Sequence, residues 1–141
     1  MYQLNVNRES WPQTVEFARR RVAADPKPNY EHLAHLGEAL LKNNQFQEAE
    51  QVFRKSLDLD QYGYSAHQNL GEIYHYFKQW EPAIFHLKLV VRFHPDMESK
   101  TYLLLAQSYR ALGRERDAQA TLAKGRRLFP KDASLTEPHI K

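Results

Sequence analysis

Seven histidines and no cysteine in 141 residues direct attention first to imidazole chemistry. The nearest approach to a ligand motif is Glu72-x-x-His75, with Glu38 thirty-four residues earlier in a matching sequence context. A carboxylate and an imidazole three residues apart project from one face of a helix, which is how many carboxylate-histidine metal centres begin. A dinuclear site of that kind needs further Glu and His ligands from neighbouring helices. His35 is available as a third group, yet nothing closes the set, so no metal and no cofactor is expected. Other chemistries fare no better: there is no nucleophile elbow, no glycine-rich loop to cradle a phosphate, and no acid and base placed for one pocket. Cysteine nucleophiles and thiolate ligands are excluded outright. The expectation is a protein that is not an enzyme.

Charge is more informative. Counting Lys and Arg against Asp and Glu, residues 30–61 carry three against six, residues 64–95 three against two, and residues 98–131 eight against three. A chain that runs from acidic to basic can hold a polar partner in one direction, the partner's acidic end lying near Lys100, Arg110 and Arg114. Lys124, Arg126 and Arg127 are expected on a solvated outer face. With a net charge of only +3 and most aromatic residues at core spacing, nucleic acid is an unfavoured ligand.

The elements that position these residues follow from a repeat. Leu33-x-x-Leu36-Gly37-x-x-Leu40 returns as His67-x-x-Leu70-Gly71-x-x-Tyr74 and as Tyr102-x-x-Leu105-Ala106-x-x-Tyr109, each followed by an Ala-x-x-x-apolar step: Ala49 and Phe53, Ala83 and Leu87, Ala118 and Leu122. A period of 34 or 35 residues implies stacked supersecondary units, each unable to bury its apolar face alone. Within the middle unit, residues 64–77 and 80–93 each show the one-face stripe of an amphipathic helix. Pro82 falls in a first helical turn, and Pro95 and Pro130 follow second helices and stop them. Gly37, Gly71 and Ala106 on first helices, and Ala49, Ala83 and Ala118 on second helices, are small so that backbones can approach. His67 occupies a packed place and is expected as a core imidazole with a hydrogen-bond partner.

Trp11 and Pro26 lie 69 residues before Trp80 and Pro95, so residues 10–26 read as a half unit in which residues 11–24 form a second helix without its first, capped by Ser10 with Pro12 in its first turn. The array then spans 10–130, with full units at 30–61, 64–95 and 99–130. Residues 1–9, where Tyr2, Leu4 and Val6 alternate, are expected as an extended segment, and 131–141 as a tail too short for a capping helix. Apolar surface around Leu122, Leu128 and Phe129 is therefore expected to stay bare, through truncation of a longer protein or as a surface for end-to-end self-association. No apolar run approaches the roughly 18 residues of a membrane span, so the chain reads as soluble and by default cytoplasmic.

This set of residues resembles the tetratricopeptide repeat family. The middle unit, with Leu70-Gly71, Tyr74, Ala83 and Pro95 in the family's places, is the best match. His67 stands where tryptophan or leucine is usual; Leu40, Gln61 and Ala106 are departures in the other units. The resemblance covers residues 30–130 and implies an all-α, right-handed α-solenoid of antiparallel helix pairs. It also implies a concave groove, lined by first helices, that takes a peptide or a partner helix. By residue matching, the groove is His35, Glu38, Leu41 and Lys42, then Asn69, Glu72, His75 and Tyr76, then Lys100, Leu103, Leu104, Gln107 and Arg110. One variant of the family clamps the C-terminal carboxylate of chaperones. Only Asn69 and Lys100 match that clamp here; Ala34, Glu38 and Leu104 replace its other members, so chaperone tails are not expected. Two other implied roles are a recognition arm of a larger enzyme and an RNA-binding helical repeat, the latter opposed by Glu38 and Glu72.

Overall fold

The computed structural model describes the backbone of residues 2–136 and the side chains from residue 10 onward. Among these residues every regular element is helical: α1 Tyr2–Ala24, α2 Tyr30–Lys42, α3 Phe46–Leu59, α4 Tyr64–Tyr76, α5 Trp80–Phe93, α6 Lys100–Ala111 and α7 Glu115–Leu128, then a 3-10 turn at Ala133–Leu135. The chain divides into two compact units, the first ending at Asn69 and the second starting at Leu70, with α4 running through the division. Within the first unit α1 packs on α2 and α2 on α3; within the second α5 packs on α6 and α6 on α7. This is an all-α repeat built of adjacent helix pairs.

Each pair closes on a small residue. A Cβ added at Gly37 would lie 2.7 Å from the Phe53 ring, and one at Gly71 would lie 2.4 Å from Leu87 Cδ2. Phe53, Leu87, Ala49 and Ala83 are fully buried, so the rings and branched chains of second helices fill space that first helices leave open. In the third pair Ala106 and Ala118 hold the same places, with Leu122 buried beside them. Two further close approaches escape the repeat pattern. Gly63 faces the Tyr30 ring, where a Cβ would come within 2.1 Å of the hydroxyl, and Gly125 faces Tyr102 Cβ at 2.8 Å. His67 is buried as expected, its Nε2 2.7 Å from the Gln61 carbonyl oxygen.

The first helix of each pair ends in the same way. Asn44 (φ 62°), Lys78 (φ 60°) and Gly113 (φ 76°) adopt left-handed backbone at equivalent repeat places. The following amides, of Gln45, Gln79 and Arg114, reach back to the carbonyls of Leu40, Tyr74 and Tyr109 at 2.8, 2.8 and 2.9 Å. These are the reciprocal bonds of a Schellman cap, and glycine enters that conformation without steric cost. Lys78→Gly is therefore expected to stabilise the protein by about 0.5–1 kcal/mol, read as a raised urea midpoint; a lowered midpoint would contradict this account of the turn.

Both ends differ from the sequence expectation. Residues 2–9 are not extended but form the start of α1, which places Ser10 and Pro12 inside that helix rather than at its cap. An isolated extended segment has no strand to bond with, whereas the helix satisfies its own backbone. Pro12 removes only the bond to the carbonyl four residues back. At the other end Leu122 is not bare. The short turn after Pro130 brings Leu135 to complete burial against the place where Gly125 leaves room, and Arg126 Nη1 donates to the Leu135 carbonyl at 2.9 Å. A single turn suffices because one leucine covers the gap. Leu128 stays 43% exposed, and Phe129 is half-buried against Tyr102.

Candidate functional site

The expected groove residues fall into a set in each unit. In the first, the alternation of buried Leu33, Leu36 and Leu40 turns His35, Glu38, Leu41 and Lys42 to the other side of α2. His35 and Lys42 are exposed, Glu38 and Leu41 half-buried. The Asn69 amide donates to the Ser65 carbonyl at 2.9 Å and approaches its hydroxyl at 3.3 Å, while the Ser65 hydroxyl donates to Glu38 Oε2 at 2.8 Å. The matched residues Glu38 and Asn69 thus belong to one polar chain, with Ser65 as a link that residue matching missed. Lys42 Nζ lies 5.3 Å from the centre of the Trp11 ring, a cation-π distance.

In the second unit, Glu72 Oε2 meets Lys100 Nζ at 3.1 Å, and His75 Nε2 meets Gln107 Oε1 at 3.0 Å, so α4 and α6 are tied twice along this side. The His75 ring also stands edge-on to Trp80, 5.4 Å between centres. Tyr76 is 68% exposed, braced edge-to-face by Phe77. Leu103 and Leu104 are half-buried, and Gln107 is exposed. Glu72 and His75, the strongest metal-ligand candidates, therefore engage different neighbours, and among the described residues no three His, Asp or Glu side chains converge on one point.

The cations expected to meet an acidic partner already have carboxylates within their own unit. Besides the Lys100 pair with Glu72, Arg110 forms a fork on Glu115 at 2.9 and 2.8 Å, and Arg114 Nε donates to Asp117 at 2.9 Å while stacking over Tyr109. The Arg110 hydrogen bonds hold the Glu115 carboxyl below the usual range. The Glu115 and Asp117 partners lie in the first turn of α7, outside the first helices on which the groove residues were expected. On exposed surface such pairs add little to stability, so their role is to orient the cations rather than to hold the fold. Sequence reading also missed Phe85 on α5, 61% exposed and edge-on to buried His86. Its exposure follows from the stripe itself, because Ala83, Ile84 and Leu87 take the packed side. Within the first unit, Arg19 of α1 forms a two-bond pair with Glu48 of α3 and depresses that carboxyl.

Sequence models of the tetratricopeptide repeat match residues 31–62 and 100–132. These are the first and third units, while the middle one, richest in motif residues, contributes α4 and α5. Among solved structures, MamA of Desulfovibrio magneticus RS-1, in a form from residue 41 to its end, superposes with a TM-score of 0.81 at 23% identity, covering 94% of this chain and 74% of that one. A double mutant of MamA RS-1 gives 0.81 at 24% identity with the same coverage, and another MamA crystal structure gives 0.78 at 20%, covering 88% and 71%. At these identities the likeness establishes a shared fold. The search of curated proteins gives no significant match.

Proposed function

Because the chain is a tetratricopeptide-repeat protein, we propose that it works as a protein-interaction module whose first helices bind an extended peptide or a partner helix on their inner side. The observation that carries this reading is the composition of that side in the second unit. An exposed Tyr76, half-buried Leu103 and Leu104, and the polar tips of His75 and Gln107 lie among charges already balanced in pairs. Such a surface offers apolar contact and hydrogen bonds with little desolvated, unpaired charge, which is what a buried interface core favours. Because Glu72–Lys100 and His75–Gln107 fix side chains before the partner arrives, little ordering entropy is lost on binding. The action is display, not reaction. The acidic oxygens of Glu38 in the first unit, and of Glu72 in the second, each disfavour a nucleic-acid backbone beside them. No helix among the described residues is long and apolar enough to cross a membrane, and we place the protein's work in the cytoplasm.

The paired charges dictate how the reading is tested. Lys100→Glu alone would set two carboxylates against each other and disturb α4 and α6, whereas Glu72→Lys with Lys100→Glu keeps the pair and inverts its direction. A peptide selected by display for binding is expected to lose about tenfold in affinity for the exchanged protein while helix content stays unchanged. Equal affinity for the two proteins would remove this surface from the binding site.

A further inference from the structure

Large apolar side chains stand half exposed at one repeat place near the end of each second helix: Leu59 at 45%, Phe93 at 42% and Leu128 at 43%. Two of them share one end of the second unit. The Tyr102 hydroxyl donates to the Pro95 carbonyl at 2.7 Å, and its ring centre lies 6.1 Å from that of Phe129, so the turn after α5 and the end of α7 both meet the start of α6. Met97, 54% exposed, adds to this end. Beside it Phe129, Pro130, Lys131 and Asp132 line a shallow depression of about 490 Å3.

The same end is basic. Lys124, Arg127 and Lys131 have no carboxylate partner among the described residues, and the Arg92 guanidinium sits 5.4 Å from the centre of the Phe93 ring. Three acids are also there. Asp132 accepts from the hydroxyls of Ser134 and Ser99, which hold it well below the ordinary carboxylate range, and Asp96 and Glu98 flank the turn. The helix dipole accounts for cations in the last turn of α7. It does not account for Phe93, Met97 and Leu128 standing in water beside them.

We propose that this α5/α7 end docks a partner-protein segment in which carboxylates alternate with aliphatic side chains along one helical face. Lys124, Arg127 and Lys131 would meet the carboxylates, and Phe93, Met97 and Leu128 the aliphatic groups, with the depression at Phe129 taking one of them. The first unit is not equivalent: Leu59 stands between Asp58 and Asp60, which repel the same segment. An anionic bilayer fits less well, because a continuous negative surface would press on Asp96, Glu98 and Asp132, whereas a peptide leaves those places uncharged.

The test uses the whole chain and a fluorescent helical peptide repeating Glu-Gln-Ala-Leu-Gln-Ala-Ala, in which Glu and Leu alternate along one face at helical spacing, with a Lys-for-Glu peptide and anionic phospholipid vesicles as comparisons. Binding of the acidic peptide is expected to weaken about tenfold or more in Lys124→Glu/Arg127→Glu, and separately in Phe93→Ser/Leu128→Ser. Tyr76→Ala is expected to leave it unchanged, which separates this surface from the first-helix side. The proposal is overturned by equal binding of the basic peptide, by sensitivity to the charge changes alone, or by binding to vesicles without binding to the peptide.

Discussion

Gly71→Ala is expected to destabilise the protein by about 1–3 kcal/mol and Leu87→Ala by about 2–5 kcal/mol, while the double variant loses less than the sum. The added methyl has nowhere to go. Its carbon would lie 2.4 Å from Leu87 Cδ2 and 2.6 Å from Cγ, inside van der Waals contact, and Leu87 is fully buried and cannot swing away. Removing the leucine branch leaves a cavity of roughly the shape the methyl seeks to occupy. The two losses therefore partly cancel, and the loss in the double variant falls below the sum of the two single losses. Gly113 is the internal comparison: a Cβ there meets nothing within 4 Å, so alanine costs only the strain of its left-handed backbone, about 1 kcal/mol. Urea midpoints of the four variants and the wild type, at unchanged slope, decide this. Strict additivity would mean that α4 and α5 do not close on this contact.

The second large effect concerns binding. Tyr76→Ala is expected to weaken a peptide ligand of the first-helix side by tenfold or more, about 1.4–2 kcal/mol, because an aromatic ring with a hydroxyl makes both kinds of contact that interface centres use. At 68% exposure the ring contributes little to the core, so the thermal midpoint should hardly move. Phe85, equally aromatic and 61% exposed but on α5, supplies the control: Phe85→Ala should leave affinity unchanged. Isothermal titration of the three proteins reads both results. Loss of affinity in the α5 variant, with none at Tyr76, would move the binding surface to the second helices.

The helix pairs were legible because repeat period, breakers and small residues all report the same packing, and the Gly37 and Gly71 contacts bear this out. His67 was legible for a related reason: a polar ring at a core place must find a partner, and the Gln61 carbonyl supplies one. The ends were not. Three alternating apolar residues at 2, 4 and 6 suggest a strand only when a neighbouring strand exists, and burial of one leucine at 135 depends on the room left by Gly125, which motif matching does not weigh. For the candidate site, residue types could be placed on first helices, but not their engagements. That Lys100 turns to Glu72, and Arg110 to Glu115 at the head of the next helix, is set by three-dimensional proximity. An expectation of open positive charge thus became a surface of balanced pairs.

Amide hydrogen exchange, measured with and without a display-selected peptide, tests the central claim most directly. Selection against the Lys124→Glu/Arg127→Glu variant keeps the basic end of α7 out of the result. Binding on the first-helix side of the second unit predicts slowed exchange in α4 and α6, with α5 and α7 little changed. Protection confined to α5 and α7 would contradict it.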